Sequence, residues 1–375
     1  LTIYRLYDIL SKMESNTESK RKLASIQTIE SLDPIEGADK IVVAKVLGWR
    51  VVVKKTDFSV GDKCVFFELD SLIPPGDWNQ FLRVPPEGMD AQKALKLKNE
   101  PYRLRTVKLR GVVSQGLALP ISTFPQLVDK VVGEDVTELM GVTKWEMEIP
   151  AQLQGLIKGN FPNFLKKTDE ERIQANPNCF AELQAAGDVS VTTKMDGSSV
   201  TYYLRHPEMV SGVEFGACSR NLDLKDSEGN AYWNMARKIN LSERMSLWSE
   251  TYGDIALQGE LCGPGIQGNK MGLKEPQVYF FNLFSITYQK YLSFSQLETF
   301  CKTFNYQTVP LVYTGPFTWK SIDEMLEYAS SINYTNGTPA EGLVWRPIED
   351  KYSPTLQGRL SVKTISTKFL LKYKE

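Results

Sequence analysis

Thr193-Lys194-Met195-Asp196-Gly197-Ser198 is the stretch on which the reading of the fold turns. Val189 and Val191 precede it and Val200 and Tyr202 follow it, so apolar, strand-like residues flank a lysine and an Asp-Gly turn. A lysine nucleophile that carried a nucleotide as a phosphoramidate would sit there. The motif alone decides little, because K-x-D-G arises by chance in roughly one chain in ten of this length. Asp-Gly is also a favoured hairpin turn, and a lysine beside a turn is usually solvated.

Composition narrows the chemistry. The 375 residues suffice for two domains with full cores. No apolar run approaches a membrane span, and Arg5 and Asp8 make Leu1 to Leu10 a poor signal peptide. The chain does not open on Met; either Met13 is the native start or the sequence is a fragment. Five scattered cysteines without a Cys-x-x-Cys pair suggest neither zinc nor disulfides, and an intracellular, reducing setting is expected. His206, beside Pro207, is the single histidine. It reads as structural, multi-histidine metal sites are excluded, and acid, base or metal work falls to Lys, Arg, Asp and Glu.

The net charge of −1 differs from the uniformly basic charge of a passive nucleic-acid coat. Locally the balance changes. Lys93, Lys96, Lys98, Arg103, Arg105, Lys108 and Arg110 stand against one acid, Glu100, with Tyr102 among them. Such a run suits either a backbone-tracking surface or a solvated strand and loop.

Residues 1–21 are polar and are expected to be a disordered tail. Residues 22–122 read as all-β. Ile41 to Leu47 and Trp49 to Val53 pair around Gly48, Val60-Gly61-Asp62 is a turn, and Cys64 to Leu69, Arg103 to Leu109 and Gly116 to Leu119 are further strands. Short strands at this density predict a small closed barrel. Residues 123–187 read as a connecting segment with short helices, including a capping box at Thr168-Asp169-Glu170-Glu171. Residues 188–375 read as α+β, with capping boxes at Ser293-x-x-Gln296 and Ser321-x-x-Glu324 and late strands at Leu343 to Arg346 and Leu360 to Lys363.

Downstream of Lys194 lie the residue types that a nucleotide-carrying lysine requires. They are Ser219-Arg220, Glu260 within Gln258 to Gly265, Phe281 within Val278 to Leu283, Glu341-Gly342, and Lys363. A free lysine has a pKa of about 10.4, and matching it to neutral pH takes about 4 kcal/mol. Nearby positive charge supplies this by disfavouring the ammonium. A divalent cation would do so, held directly or through waters by Asp196, Glu260 and Glu341. Lys363 would add charge and neutralise a phosphate, and Phe281 would stack on a base. Each residue alone has an ordinary structural reading. Their occurrence once, in order, at domain-scale spacing is what favours chemistry. The glycines 263, 265 and 268 do not make a P-loop, because Gly-Lys-Ser/Thr is missing.

Taken together, these segments resemble the covalent nucleotidyltransferase superfamily of ATP-dependent ligases and capping enzymes, over the whole of 188–375. DNA ligases and capping enzymes of that superfamily carry an OB barrel after the final lysine motif. Here 12 residues follow Lys363 (375 minus 363), and the barrel candidate precedes Lys194. That order is similar to the Naegleria-type RNA ligases with an N-terminal OB domain. Arg110 to Leu117, Lys167 to Gln174 and the loop Glu260 to Lys270 look like the same group. Pro34 to Ile41 is similar to the opening of tRNA-binding OB modules. Two positions depart from the pattern: Thr193 stands where many RNA ligases have an acid, and Ile365 where many have a second lysine.

The resemblance implies an all-β OB-like barrel followed by an α+β nucleotidyltransferase domain of ATP-grasp-like ligase type. It implies ATP as substrate and AMP donor, Mg2+ or Mn2+, and sealing of RNA 3′-hydroxyl and 5′-phosphate ends, expected in a nicked duplex. Lys194 would be the nucleophile and Lys363 would hold the α-phosphate. Asp196, Glu260 and Glu341 would bind metal, with Glu260 and Glu341 also near the nucleotide. Phe281 would hold adenine, and Arg220 the ribose or RNA end. Arg103, Arg105, Lys108 and Arg110 would track RNA. A monomer away from membranes is expected. The rival readings are a DNA ligase, a GTP-using capping enzyme, and an inactive RNA-binding OB protein.

Overall fold

The computed structural model describes residues 21–145, 155–207 and 212–374. Of the tail expected at 1–21, all but Arg21 lies outside the described residues. The chain divides into two compact units, Leu1–Trp145 and Glu146–Glu375.

The first unit holds β1 (Ala24–Thr28), β2 (Ser31–Pro34), β3 (Ile41–Val46), β4 (Trp49–Lys54), β5 (Lys63–Phe67), β6 (Ser71–Ile73), β7 (Tyr102–Arg103), β8 (Val107–Leu109), β9 (Val112–Ser114), β10 (Leu117–Pro120) and β11 (Thr143–Lys144). The hairpin expected around Gly48 forms, with Val46 opposite Trp49 and Leu47 in left-handed backbone. Arg110 (φ 48) and Gly111 (φ 83) turn the β8–β9 hairpin, since a two-residue turn with both central φ positive matches strand twist.

Pairing gives three three-stranded sheets, β1-β5-β10, β2-β3-β4 and β11-β6-β7, plus that hairpin. Among the described residues the ladders do not close into the single barrel expected. Asp70 takes left-handed backbone (φ 65) between β5 and β6, so the strand expected to reach Leu69 ends at Phe67. Pro34 and Pro120 end β2 and β10 without a donor to continue pairing. Phe124, Leu127, Val136, Met140 and Val142 share a core with Ile26, Val65 and Phe67. Residues 124–142, expected in the connecting segment, therefore pack as part of this unit.

The second unit holds β12 (Ile157–Asn160), β13 (Glu171–Arg172), β14 (Asp188–Lys194), β15 (Ser198–Arg205), β16 (Glu214–Cys218), β17 (Leu222–Leu224), β18 (Ile255–Cys262), β19 (Gln277–Ser285), β20 (Lys290–Tyr291), β21 (Gln307–Thr308), β22 (Leu311–Pro316), β23 (Gly342–Pro347), β24 (Tyr352–Ser353), β25 (Gly358–Arg359) and β26 (Val362–Ile365). One sheet runs β12-β17-β16-β15-β18-β19-β20, with β21 added to β19. The other runs β13-β26-β23-β14-β22. Most neighbours are antiparallel. Nothing in this α+β arrangement supports the ATP-grasp-like label.

Two of the three expected capping boxes open helices. Ser293 starts the helix Phe294–Phe304 with Gln296 reaching back, and Ser321 accepts from the Glu324 N–H at the start of Ile322–Ser331. Thr168 opens no helix. Its hydroxyl lies 2.9 Å from that of Ser199, Glu170 binds Arg346, and Glu171-Arg172 pairs in parallel with β26. Tertiary partners thus hold extended the backbone that the motif alone would coil.

The Asp-Gly step is not a hairpin. β14 and β15 belong to different sheets, so the chain crosses from one sheet to the other between Lys194 and Ser198. A Cβ at Gly197 would overlap the Leu261 carbonyl and lie 2.8 Å from Cys262 Sγ. Only glycine lets that crossing approach β18 so closely.

Candidate active site

Lys194 is the last residue of β14 and pairs in register with Gly342, the first of β23. A Cβ at Gly342 would overlap the Thr364 carbonyl of β26, so glycine here lets β23 and β26 come together. β26 in turn sets Lys363 opposite Val344. Lys194 and Lys363 therefore lie on the two strands that flank β23, and Glu341 stands at the head of β23 itself. Glu260 comes from β18 of the other sheet, opposite Ser199 on the strand that leaves the nucleophile turn.

Phe281 owes its position to a β-bulge. Gln258 pairs with Asn282 but Gly259 pairs with Phe280, so Phe281 is the extra residue on β19. The bulge changes which side of the strand faces which core. Before it, Val278 and Phe280 pack into the larger core; after it, Leu283 does. Phe281 itself packs beside Met195, Met271 and Tyr334. The Arg346 guanidinium donates to the Phe281 carbonyl at 3.3 Å and binds Glu170 at 2.7 Å, holding the bulge from the facing sheet.

The lysine Nζ lies 2.7 Å from Glu341 Oε2. Burial presses its pKa down, but Glu341 and Glu260 outweigh burial and hold it above the ordinary lysine value. The sequence led us to expect the reverse. In this state Lys194 is an ammonium locked onto Glu341. Burial, joined by repulsion from Glu341 and Asp196 against the pull of Lys194, pushes the Glu260 carboxyl up to about 8. Burial, then repulsion from Lys194 and Arg172, brings Lys363 down to about 8. Three acids, Glu341, Glu260 and Asp196, thus act on the nucleophile, which in turn destabilises the charge of Lys363.

Asp196, expected at a metal, stands beside a cation of the protein itself. Its carboxylate faces Lys270 at 3.0 Å, with the two side chains only 10% and 11% exposed. The Lys270 ammonium also lies over the rings of Phe369 and Tyr373, on the C-terminal helix Thr367–Tyr373. A part-buried lysine therefore already pairs with Asp196. Among the described residues no three His, Cys, Asp or Glu side chains group closely enough to hold a metal ion directly. The acid crowd at Glu260 and Glu341 still fits a hydrated divalent cation, because its mutual repulsion is what such a charge relieves.

Arg220 sits in the turn between β16 and β17, pairs with Asp169 at 2.6 Å and acts on Glu260 electrostatically. Thr193 is buried, and its N–H bonds the Pro310 carbonyl. Ile365 is buried as well. His206 pairs with Asp254, with its Nδ1 2.8 Å from Oδ1. Sequence reasoning missed two residues: Lys270, described above, and Tyr334. The Tyr334 hydroxyl bonds the backbone of Lys194, Asp196 and Glu341. Lys270 closes the loop Glu260 to Lys270 that the resemblance singled out, without a role given to it, and Tyr334 stands in no motif.

In the first unit, Lys108 and Arg110 lie exposed on the β8–β9 hairpin, and Arg105 is exposed beside it. Arg103 is not available in the same way. It binds Asp70 at 2.7 Å and its guanidinium stacks 3.4 Å from the Trp145 ring centroid. Among the described residues no helix is long and apolar enough to cross a membrane.

An RNA ligase family model matches residues 187–373, and an OB-fold domain model matches 23–121. Three solved forms of the Naegleria gruberi RNA ligase resemble the chain almost end to end. A lysine-to-methionine variant with AMP and Mn is 35% identical, covers 94% of this chain and 99% of that one, and gives a TM-score of 0.81. A glutamate-to-alanine variant with ATP and Mn is 34% identical, covers 95% and 100%, and gives 0.81. The form with pyrophosphate is 34% identical, covers 95% and 99%, and gives 0.79. No curated protein matches. With that identity sustained over both units, the chain belongs to the RNA ligase family, its ligase domain preceded by an OB-fold domain.

Proposed function

We propose that this ligase uses ATP to seal RNA 3′-hydroxyl and 5′-phosphate ends through lysyl-AMP and RNA-adenylate intermediates. One observation carries the reading: a lysine at the crossing between two sheets, in contact with one carboxylate, amid further acids, with a second lysine of depressed pKa in the same field. The similar Naegleria ligase was solved with ATP, AMP and Mn, which supports the same nucleotide and cation here.

Lys194 Nζ, as the free amine, attacks the α-phosphorus of ATP. A phosphorus–nitrogen bond forms, the bond to the bridging oxygen breaks, and pyrophosphate leaves. Glu341, in contact with Nζ, is the placed acceptor for the lysine proton. Lys363 holds the α-phosphate, which restores the charge balance that burial denies it. Phe281 offers its face to adenine, and Arg220 meets the ribose or the RNA end. Glu260 and Glu341 would hold a divalent cation, which would supply positive charge that disfavours the ammonium and offsets the phosphates. Asp196, paired with Lys270, orders the nucleophile turn. In the second step the 5′-phosphate of RNA takes AMP from the lysine, and in the third the 3′-hydroxyl displaces AMP to make the phosphodiester.

The test is label transfer from α-labelled ATP and, separately, α-labelled GTP, with magnesium or manganese, followed by sealing of a nicked RNA duplex. An acid-labile label from ATP alone and a sealed strand are expected. Label from GTP alone would point to capping-type chemistry, and no label from either would favour an RNA-binding protein without catalysis.

The OB-fold unit would present the RNA through Lys108 and Arg110 on the β8–β9 hairpin, with the exposed Arg105 beside them. Lys108→Ala and Arg110→Ala are expected to weaken RNA binding about equally for all sequences and to lower the salt slope by about 1 each. Arg103→Ala is expected to lower the thermal midpoint instead, because it removes an ion pair with Asp70 and the stacking on Trp145. Binding measured across a salt series, beside thermal unfolding, separates the two outcomes.

A further inference from the structure

We infer that the hydroxyl of Tyr334 is the positioning group for the lysine nucleophile, a role that rests on the reading of Lys194 given above. A phenol oxygen can donate one hydrogen bond and accept two. Here all three go to backbone groups at functional positions. The hydroxyl accepts from the Asp196 N–H at 3.0 Å and the Glu341 N–H at 3.1 Å, and donates to the Lys194 carbonyl at 3.2 Å.

The location explains why such a group is required. The ladder between β14 and β23 ends at the pair Lys194 and Gly342. Beyond that pair the chain turns toward the other sheet, and the Asp196 and Glu341 N–H groups lie past the last rung. The Tyr334 oxygen takes the place of a further rung. It ties the nucleophile turn to the acid that touches Nζ.

Tyr334 is itself firmly held. It is 7% exposed, and its ring packs with Met195, Met271 and Ala340. Its own N–H bonds the Thr338 carbonyl at 2.8 Å, closing a short loop. Asn336 and Thr338 of that loop both donate to the Lys270 carbonyl, at 3.0 and 3.1 Å. The loop that carries Tyr334 is thus fastened to the residue whose side chain holds Asp196. Backbone and side chain of the nucleophile turn are braced from one side.

Tyr334→Phe keeps the ring and removes only the oxygen. Single-turnover label transfer is read against ATP concentration, and sealing of a synthetic pre-adenylylated RNA end is read separately, since that step bypasses attack by the lysine. The expected result is a maximal labelling rate lowered by about 10- to 100-fold, the scale of a small misplacement of reacting groups. Half-saturation by ATP should stay within about threefold, and sealing of the pre-adenylylated end should slow far less than labelling. Unchanged labelling, or equal slowing of both steps, would overturn the inference. If Tyr334→Phe does not fold, Thr338→Val loosens the same loop and is read in the same way, with equal slowing again counting against the role. Absence of label in the unaltered protein would sink the proposed chemistry first, and this inference with it.

Discussion

Lys194→Ala is expected to take no label from α-labelled ATP, while Lys194→Arg, equally unlabelled, keeps the stability that alanine loses. Lys194 supplies the amine in contact with Glu341, so the loss should be complete within detection. The stability difference follows from the acid crowd. Lys194 is the group that most opposes the upward shift of Glu260, and it also pairs with Glu341. Alanine leaves both acids without it, and arginine supplies the charge again. The pH dependence has a definite sign. A carboxyl whose folded pKa lies above its unfolded value, near 4.3, favours folding at low pH and loses that contribution as pH rises through the folded value. For Glu260 that value is about 8 before the lysine is removed. The alanine variant should therefore lose most ground to its parent on going from pH 5 to pH 9. Normal labelling of either variant would refute the assignment of the nucleophile.

Lys363→Met is expected to lower the labelling rate on the order of 10²- to 10³-fold, the loss typical of removing one preorganised charge from a transition state. The same change should raise the thermal midpoint at pH 7. Burial and the neighbouring cations Lys194 and Arg172 bring this lysine to about 8, below its unfolded value near 10.4. The unfolded chain then binds more protons between those values, so stability rises with pH across that window, and the cost is fully present below it. Methionine of similar length removes the cost. The midpoint difference should be largest below pH 8 and close toward pH 10. A variant that is both slow and less stable at pH 7 would mean that Lys363 is a packing residue instead.

Local chemistry made much of this molecule legible. The β3–β4 hairpin, the helices opened by Ser293 and Ser321, and the strands around Lys194, Glu341 and Lys363 follow from alternation and capping. The order of motifs also told which side chains would share one site. What stayed hidden depended on distant partners. Thr168 to Glu171 reads as a helix start until Arg346 and β26 hold it extended. Tyr334 bonds a carbonyl 140 residues away, and its loop carries no periodic signal. Lys270 became informative only when Asp196 and the rings of Phe369 and Tyr373 came around it. The strand expected to run on to Leu69 stops for a local reason, the left-handed residue Asp70, which alternation cannot foresee.

The bulge at Phe281 makes β19 sensitive to counting as well as to chemistry. Replacing Phe281 alters one surface and leaves the rest of the strand where it was. Deleting it would make Gly259–Phe280 and Gln258–Asn282 consecutive rungs, giving an unbroken ladder with Val278, Phe280 and Leu283 still on the core face. What such a deletion would take away is the side chain that packs with Met195 and Tyr334, and not the facing of the strand. A one-residue insertion or deletion anywhere else in β19 would instead carry the residues beyond it to the opposite face.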